Sequence, residues 1–385
     1  MTSRLESRFA DLNPADYALP EELRARLLSP ALVVWLEHVQ ENVRRVIAHA
    51  GSPERWRPHV KTTKLPVIWA ELMAQGVRAF KCATTREARC LLETLRREKV
   101  EGGDVLVAYP LRQPALRVLG GLADRFEEAR VSVLCEDPAL VPAIPPSVSV
   151  FIDVNPGMDR TGTPLADRER IHAVARAAGE RFRGVHYYDG HLHGPLAERR
   201  RAAFACYDGA LELLGELEAA GIPCSELVTS GTPAFLQALA YPAFRELAGT
   251  RHTVSPGTVV FHDLRTELEN ADLDLVPAAL LFARVVSRPG EGIVTCDAGS
   301  KSIAAESGDP CAFVLGHPEL EAQSPSEEHL PLRVLRGPAP ELGEELLLIP
   351  YHVCPTTNLA EEVLVVDGDV YETHAVEGRA HDLMV

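Results

Sequence analysis

Long hydrophobic runs are missing from this chain of 385 residues: no apolar stretch approaches the roughly 18 residues of a membrane span. The opening segment, Met1 to Tyr17, is polar and acidic and lacks the apolar centre of a secretory signal, so a cytoplasmic protein with no membrane partner is expected. Positive charge is in deficit, with 39 Lys plus Arg against 55 Asp plus Glu and a formal net charge of −16. Such a balance repels polyanions and argues against nucleic acid as a partner. Eight cysteines are scattered without a single CxxC pair, which excludes a zinc ribbon and a disulfide framework and leaves most of them as buried thiols. Aromatic residues are only 6 % of the chain, and low-complexity tracts and solenoid repeats are absent.

What remains is an ordinary globular composition, 46 % hydrophobic and 24 % charged, long enough for two domains or for one large barrel with an appendage. From residue 57 to 263, short β-branched runs alternate with helical patterns. The runs are Arg57 to Val60, Ala79 to Thr84, Asp104 to Tyr109, Val131 to Cys135, Val148 to Val154, Arg183 to Tyr188, Glu226 to Thr229 and His252 to Val254. Segments such as Thr85 to Arg97, Ala166 to Ala178 and Ala197 to Ala220 are long enough to be crossover helices between parallel strands. Eight strand-then-helix units predict an α/β fold, a (β/α)8 TIM barrel.

After about residue 265 the pattern changes to strands separated by Pro, Gly and Asp turns: Asp274 to Val286, Gly292 to Cys296, Cys311 to Leu315, Leu332 to Leu335, Glu345 to Ile349 and Glu362 to Asp367. This is a second, smaller, mainly β domain. The expected division is an N-terminal segment, residues 1–36, that joins the β domain through the run Ala31 to Leu36; the barrel, 37–265; and the β domain itself, 266–385.

Functional groups of such barrels gather at the C-terminal ends of the strands, and phosphate is commonly held after the seventh and eighth. The first run ends in His59-Val60-Lys61, which places a lysine at the mouth. The seventh ends in Ser230-Gly231-Thr232 and the eighth leads into Gly257-Thr258, both rich in hydroxyl and backbone N–H donors suited to a phosphate. A lysine facing a phosphate nest can hold a phosphorylated aldehyde at both ends, and pyridoxal 5'-phosphate fits that description.

The ordered set His59-Val60-Lys61, Ala83-Thr84-Thr85-Arg86-Glu87-Ala88, Asp159-Arg160-Thr161-Gly162, Ser230-Gly231-Thr232-Pro233, Gly257-Thr258 and Asp297-Ala298-Gly299-Ser300-Lys301 resembles the motifs of the fold-type III pyridoxal-phosphate enzymes. Within that class it is similar to the metal-activated branch that contains D-threonine aldolase and eukaryotic-type D-serine dehydratase. The resemblance covers about residues 29 to 380. It implies a lyase acting on a β-hydroxy-D-amino acid, and a homodimer. Lys61 is then the Schiff-base lysine, its ε-amine being readily shifted in protonation, unlike a guanidinium. His59 lies on the same face two residues earlier, Arg160 is placed to donate to the cofactor ring or its phenolic oxygen, and His186 and Tyr188 alternate so that both point inward.

His352 and Cys354 stand two positions apart in Pro350-Tyr351-His352-Val353-Cys354-Pro355, which on a strand puts imidazole and thiolate on one face. Taken alone, the pair reads as a buried cysteine beside a structural histidine; the resemblance makes it a metal pair. Its donors favour Zn2+, with Mn2+ or another divalent ion as the alternative. In the relatives His-x-Cys goes with D-serine dehydratases and His-x-Asp more often with aldolases, so Cys354 points to a D-serine dehydratase-like reaction giving a 2-oxo acid and ammonia. The run Tyr188-Asp189-Gly190-His191 resembles the aldolases, which keeps D-threonine or D-3-hydroxyaspartate cleavage to glycine and an aldehyde as the alternative. Ser326-Glu327-Glu328-His329 resembles a further family segment, with Leu330 where glycine usually follows. A metal-free amino-acid racemase and a pyridoxal-phosphate carrier protein are the remaining readings.

Overall fold

The computed structural model describes residues 8–270 and 273–384; the first seven residues of the polar opening segment lie outside the described residues. The chain divides into two compact units. One comprises the residues up to Asn42, Thr62–Leu65 and Thr258–Arg379; the other comprises Val43–Lys61, Pro66–Gly257 and the last residues from Ala380.

Strand β1 (Ala31–Trp35) belongs to the first unit. The second unit carries β2 (Ala79–Cys82), β3 (Asp104–Val107), β4 (Arg130–Cys135), β5 (Ser149–Asn155), β6 (Thr163–Pro164), β7 (Phe182–Tyr187), β8 (Glu226–Thr229) and β9 (Arg251–Val254). The first unit resumes with β10 (Ala279–Gly290), β11 (Ile293–Cys296), β12 (Ala312–Val314), β13 (Leu320–Ala322), β14 (Leu330–Val334), β15 (Glu345–Pro350), β16 (Glu362–Asp367) and β17 (Val370–Ala375).

In the second unit seven parallel strands follow the order β2-β3-β4-β5-β7-β8-β9, with β6 appended to β5. This is the TIM-like barrel, with one difference: the expected first strand, Arg57 to Val60, is a bridging segment. Trp56 bridges to Val254 and His59 to Lys81. Arg57 N donates to Val254 O at 2.9 Å, Lys81 N to Pro58 O at 2.9 Å and Val60 N to Lys81 O at 2.8 Å. Pro58 has no N–H to give, so a regular ladder cannot run through it. The ring is nonetheless linked at both edges. Inside it, Leu106, Leu134, Phe151 and Val228 form a buried cluster. Arg57, wholly buried, spans the bridging segment and two strands: it donates to both carboxylate oxygens of Glu226 at 2.9 and 2.8 Å and to Asp104 Oδ1 at 3.0 Å.

The crossover helices lie close to their expected bounds, at Thr85–Arg97, Arg168–Ala178 and Leu196–Ala219. The Thr84 hydroxyl accepts from Glu87 N at 3.0 Å while the Glu87 carboxylate accepts from Ala83 N at 2.7 Å, a reciprocal cap that explains the spacing in Ala83-Thr84-Thr85-Arg86-Glu87 by helix initiation.

In the first unit, residues 285–290 of β10 pair with β11 and residues 281–284 with β15. Through β14, β13 and β12 these pairings close a six-stranded antiparallel barrel, which removes its free edges. The other end of β10, residues 279–282, pairs with β1, which runs parallel to β16 and so leads to β17. Val33, Trp35, Leu280, Phe282, Ile349 and Leu364 are among the core residues of this unit. Among the described residues no helix is long and apolar enough to cross a membrane.

Candidate active site

In the barrel unit, Lys61 follows the bridging segment with its side chain exposed, and its backbone N donates to His59 Nδ1 at 3.3 Å. His186 on β7 is buried, and its Nδ1 lies 2.7 Å from Oδ1 of Asp153, its register partner on β5. Tyr188 lies two residues on, its ring parallel to the imidazole with centroids 6.1 Å apart. That alternation is the period of a strand, and Tyr187 between them turns away to donate to Cys206 O.

Arg160 is aimed by the loop after β5. Asn155 Oδ1 accepts from the backbone of Gly157 and Asp159 at 2.9 and 3.0 Å, and its amide donates to Asp159 Oδ1 at 2.8 Å. Gly162 closes the loop at φ 97°, where a Cβ would stand 2.9 Å from Asn155 N. The exposed guanidinium is thereby held 5.0 Å from the Tyr188 ring. A small open pocket is lined by Asp153, Asn155, Met158, Arg160 and Tyr188.

Ser230 has the positive φ of 50° that the turn after β8 requires. Its hydroxyl does not reach outward: it donates to Asp189 Oδ2 at 2.7 Å, beside Tyr207 Oη at 2.6 Å. Burial, which outweighs these two hydrogen bonds, pushes the Asp189 carboxyl above its usual range. Gly231 packs so tightly on Tyr188 that a Cβ would come within 2.7 Å of the phenol oxygen. Thr232 is buried, and Gly257 is buried in the turn after β9.

Sequence reasoning missed Lys81. It sits on β2 at 2 % exposure with Nζ 3.4 Å from His186 Nε2 and 5.1 Å from the Tyr188 ring centroid. Burial, together with the fields of Lys61 and Arg160, holds its amine well below the usual lysine range. The available signal was a lysine between Phe80 and Cys82, a charge where an inward-facing strand position calls for an apolar side chain.

The β-barrel unit carries a second cluster. His352 and Cys354 are not on a strand, contrary to the sequence expectation. β15 stops at Pro350, His352 caps the short helix Val353–Leu359 in an extended conformation, and Cys354 lies in its first turn, where Pro355 is tolerated. The cap anchors differently too, with Val353 N donating to Asp263 Oδ2 at 2.8 Å. The imidazole and thiol still meet. Burial opposes the thiolate, but hydrogen bonding and attraction to His352 hold the Cys354 pKa below its ordinary value, and the same contact raises His352 against its own burial. Thr62 Oγ1 and Thr258 Oγ1 lie 3.1 and 3.4 Å from Cys354 Sγ, so Thr258 turns its hydroxyl to the sulfur.

The donor chemistry suits both groups that the sequence suggests. An exposed primary amine, a guanidinium and a turn leading into a helix match an anionic aldehyde. A polarised imidazole–thiol pair matches a borderline divalent metal with positions left for water or substrate. Among the described residues no cluster of three or more such ligands occurs.

Comparison with known proteins bears on both units. The model of the alanine racemase N-terminal domain matches residues 34–264, and that of a "Putative serine dehydratase domain" matches 278–366. A D-threonine aldolase from Arthrobacter sp is 30% identical over 94% of this chain and 95% of its own length. The D-threo-3-hydroxyaspartate dehydratase of Delftia sp. (strain HT23) is 24% identical, covering 91% and 97%. Among solved structures, D-threonine aldolase from Filomicrobium marinum superposes with a TM-score of 0.79 at 26% identity over 92% of this chain and 96% of that one. The Delftia dehydratase gives 0.75 at 23% over 93% and 99%, a likeness of fold; that enzyme is also solved as a cysteine-to-alanine mutant in the metal-free form.

Proposed function

Because the chain belongs to the alanine racemase N-terminal domain family, and with it to the fold-type III pyridoxal-phosphate enzymes, we propose that it is a pyridoxal-phosphate- and zinc-dependent lyase of β-hydroxy-D-amino acids, working first as a dehydratase of the D-serine type. The observation that carries this reading is the side-chain contact between His352 and Cys354, a soft donor pair that neither a racemase nor a simple carrier of the cofactor requires. Aldol cleavage is the second reading, favoured by the 30% identity to a D-threonine aldolase.

Bound pyridoxal phosphate supplies an electron sink for the carbanion formed at the substrate Cα. Lys61 would hold it covalently, and the same amine would serve as the base for the substrate's α-proton. Arg160 would meet the ring from the loop after β5. The backbone N–H groups of Gly231, Thr232 and Gly257 would take the phosphate, since Ser230 spends its hydroxyl on Asp189 and Thr258 turns to Cys354. His59 and Tyr188 would flank the bound cofactor. Zinc held by His352 and Cys354 would act as a Lewis acid on the β-hydroxyl. Thr62 and Thr258 hold the thiolate in place for it.

The test incubates the purified protein with D-serine, D-threonine and D-3-hydroxyaspartate, with and without chelator. The expected outcome is a 2-oxo acid and ammonia, lost on chelation and restored by zinc. Glycine and an aldehyde would establish the second reading, and no turnover of any of the three, metal-loaded, would overturn both.

A further inference from the structure

Across the barrel interior three side chains from three strands form a line to which the lyase reading has so far given no role. Asp153 and His186 are lateral neighbours on β5 and β7. Lys81 comes from β2, which pairs with neither, so it reaches His186 through the interior of the ring. All three are at most 4 % exposed.

The distances constrain where the protons can sit. An ionised Asp153 accepts from His186 Nδ1 at 2.7 Å, so a neutral ring presents a bare Nε2, and the group 3.4 Å from that nitrogen is an amine able to donate. An imidazolium would instead turn an N–H and a positive charge toward an ammonium. Two like charges at that separation in a dry interior cannot both persist. The remaining surroundings act on the same couple: Lys61 and Arg160 press against a further positive charge, Asp153 and Asp189 attract one, and the Tyr188 ring covers the Lys81 amine. Burial first, and then Lys81, also lowers the pKa of His186 despite the Asp153 contact.

We propose that Lys81 is a positioning residue for His186: its donation to Nε2 locks the imidazole neutral with the proton on Nδ1, and the two residues hold no more than one positive charge between them. The use of this couple rests on the lyase reading, in which it keeps a neutral imidazole beside the cofactor site and adds at most one positive charge to those of Lys61 and Arg160. Its existence does not depend on that reading.

The experiment records nitrogen-15 spectra of histidine-labelled, full-length, cofactor-loaded protein between about pH 5.5 and 8.5, the window in which an ordinary histidine titrates. His186 is assigned by its loss in His186→Gln. In the wild type the expected signal is a neutral Nδ1–H imidazole throughout. Lys81→Gln keeps a donor and should keep that tautomer. Lys81→Met removes donor and charge together, and His186 should then titrate within the window, its pKa up by at least about one unit, a tenfold change in protonation. An imidazolium or an Nε2–H tautomer in the wild type near neutrality overturns the proposal without any variant. So does a Lys81→Met spectrum indistinguishable from wild type, and a Lys81→Gln protein that titrates like Lys81→Met overturns the role of donation. The visible absorbance of bound pyridoxal in the same samples judges the lyase reading separately.

Discussion

Tyr188 is wedged between two glycines. A Cβ at Gly190 would stand 2.3 Å from its ring and one at Gly231 2.7 Å from its hydroxyl. Gly231→Ala should therefore displace the phenol and lower kcat/KM by about 10- to 100-fold while costing about 1–3 kcal/mol of stability, a split that kinetics and urea titration would expose. Lys61→Arg keeps the charge but removes an amine able to lose its proton. Turnover should fall below detection with little change in melting temperature, because the side chain is exposed. His252 gives a pH dependence. Burial drives its pKa down from 6.5 to about 3, leaving Nε2 on Thr229 Oγ1 and Nδ1 buried without a partner. The unfolded chain then binds the extra proton between those values, so this residue's contribution is full above about pH 6.5 and is lost as pH falls toward 3. His252→Gln should flatten that slope in unfolding free energies measured across the window. Lys61, Arg160, His186 and Tyr188 could be picked out from the sequence because motif order and strand alternation mark them. Lys81 could not, being hidden in a run read as apolar strand, and the contacts of Asp189 could not, since its partners Tyr207 and Ser230 come from later in the chain.

At the level of elements, barrel closure rests on a segment too irregular to be a strand and on the buried arginine within it. Replacing Arg57 by Met would take the wholly buried partner from Glu226 and Asp104, leaving them Arg251 and Arg183, and about 3 kcal/mol of unfolding free energy should go with it in urea titrations. Asp104 is held far below the usual carboxylate range, where Arg57 and Arg183 outweigh burial, so the loss should shrink as acid protonates these partners. Seven barrel strands and the longer strands of the β unit were legible because each buries an unbroken or alternating apolar run. β17 was not, since Val370–Ala375 buries neither face, and β13 is three residues long. The helix carrying Cys354 was hidden by Pro355, which reads as a breaker until it is seen to occupy a first turn.

For the whole molecule, a formal charge of −16 makes close approach of two copies unfavourable at low salt unless a specific interface outweighs it. The family resemblance implies such an interface, and light scattering at physiological salt should give twice 42.0 kDa. A stable monomer that turns over substrate would remove the second subunit from the reading.

The way the chain is shared out has a practical consequence. It switches between the two units after residues 42, 61, 65, 257 and 379, and one of those switches falls directly after Lys61. No single cut releases either unit as a continuous fragment: ending an expression clone at Gly257 would omit most of one unit while retaining its first strand and the four residues Thr62–Leu65. Swapping halves between relatives would meet the same obstacle, so chimeras should be built from interleaved pieces whose joints follow those five positions.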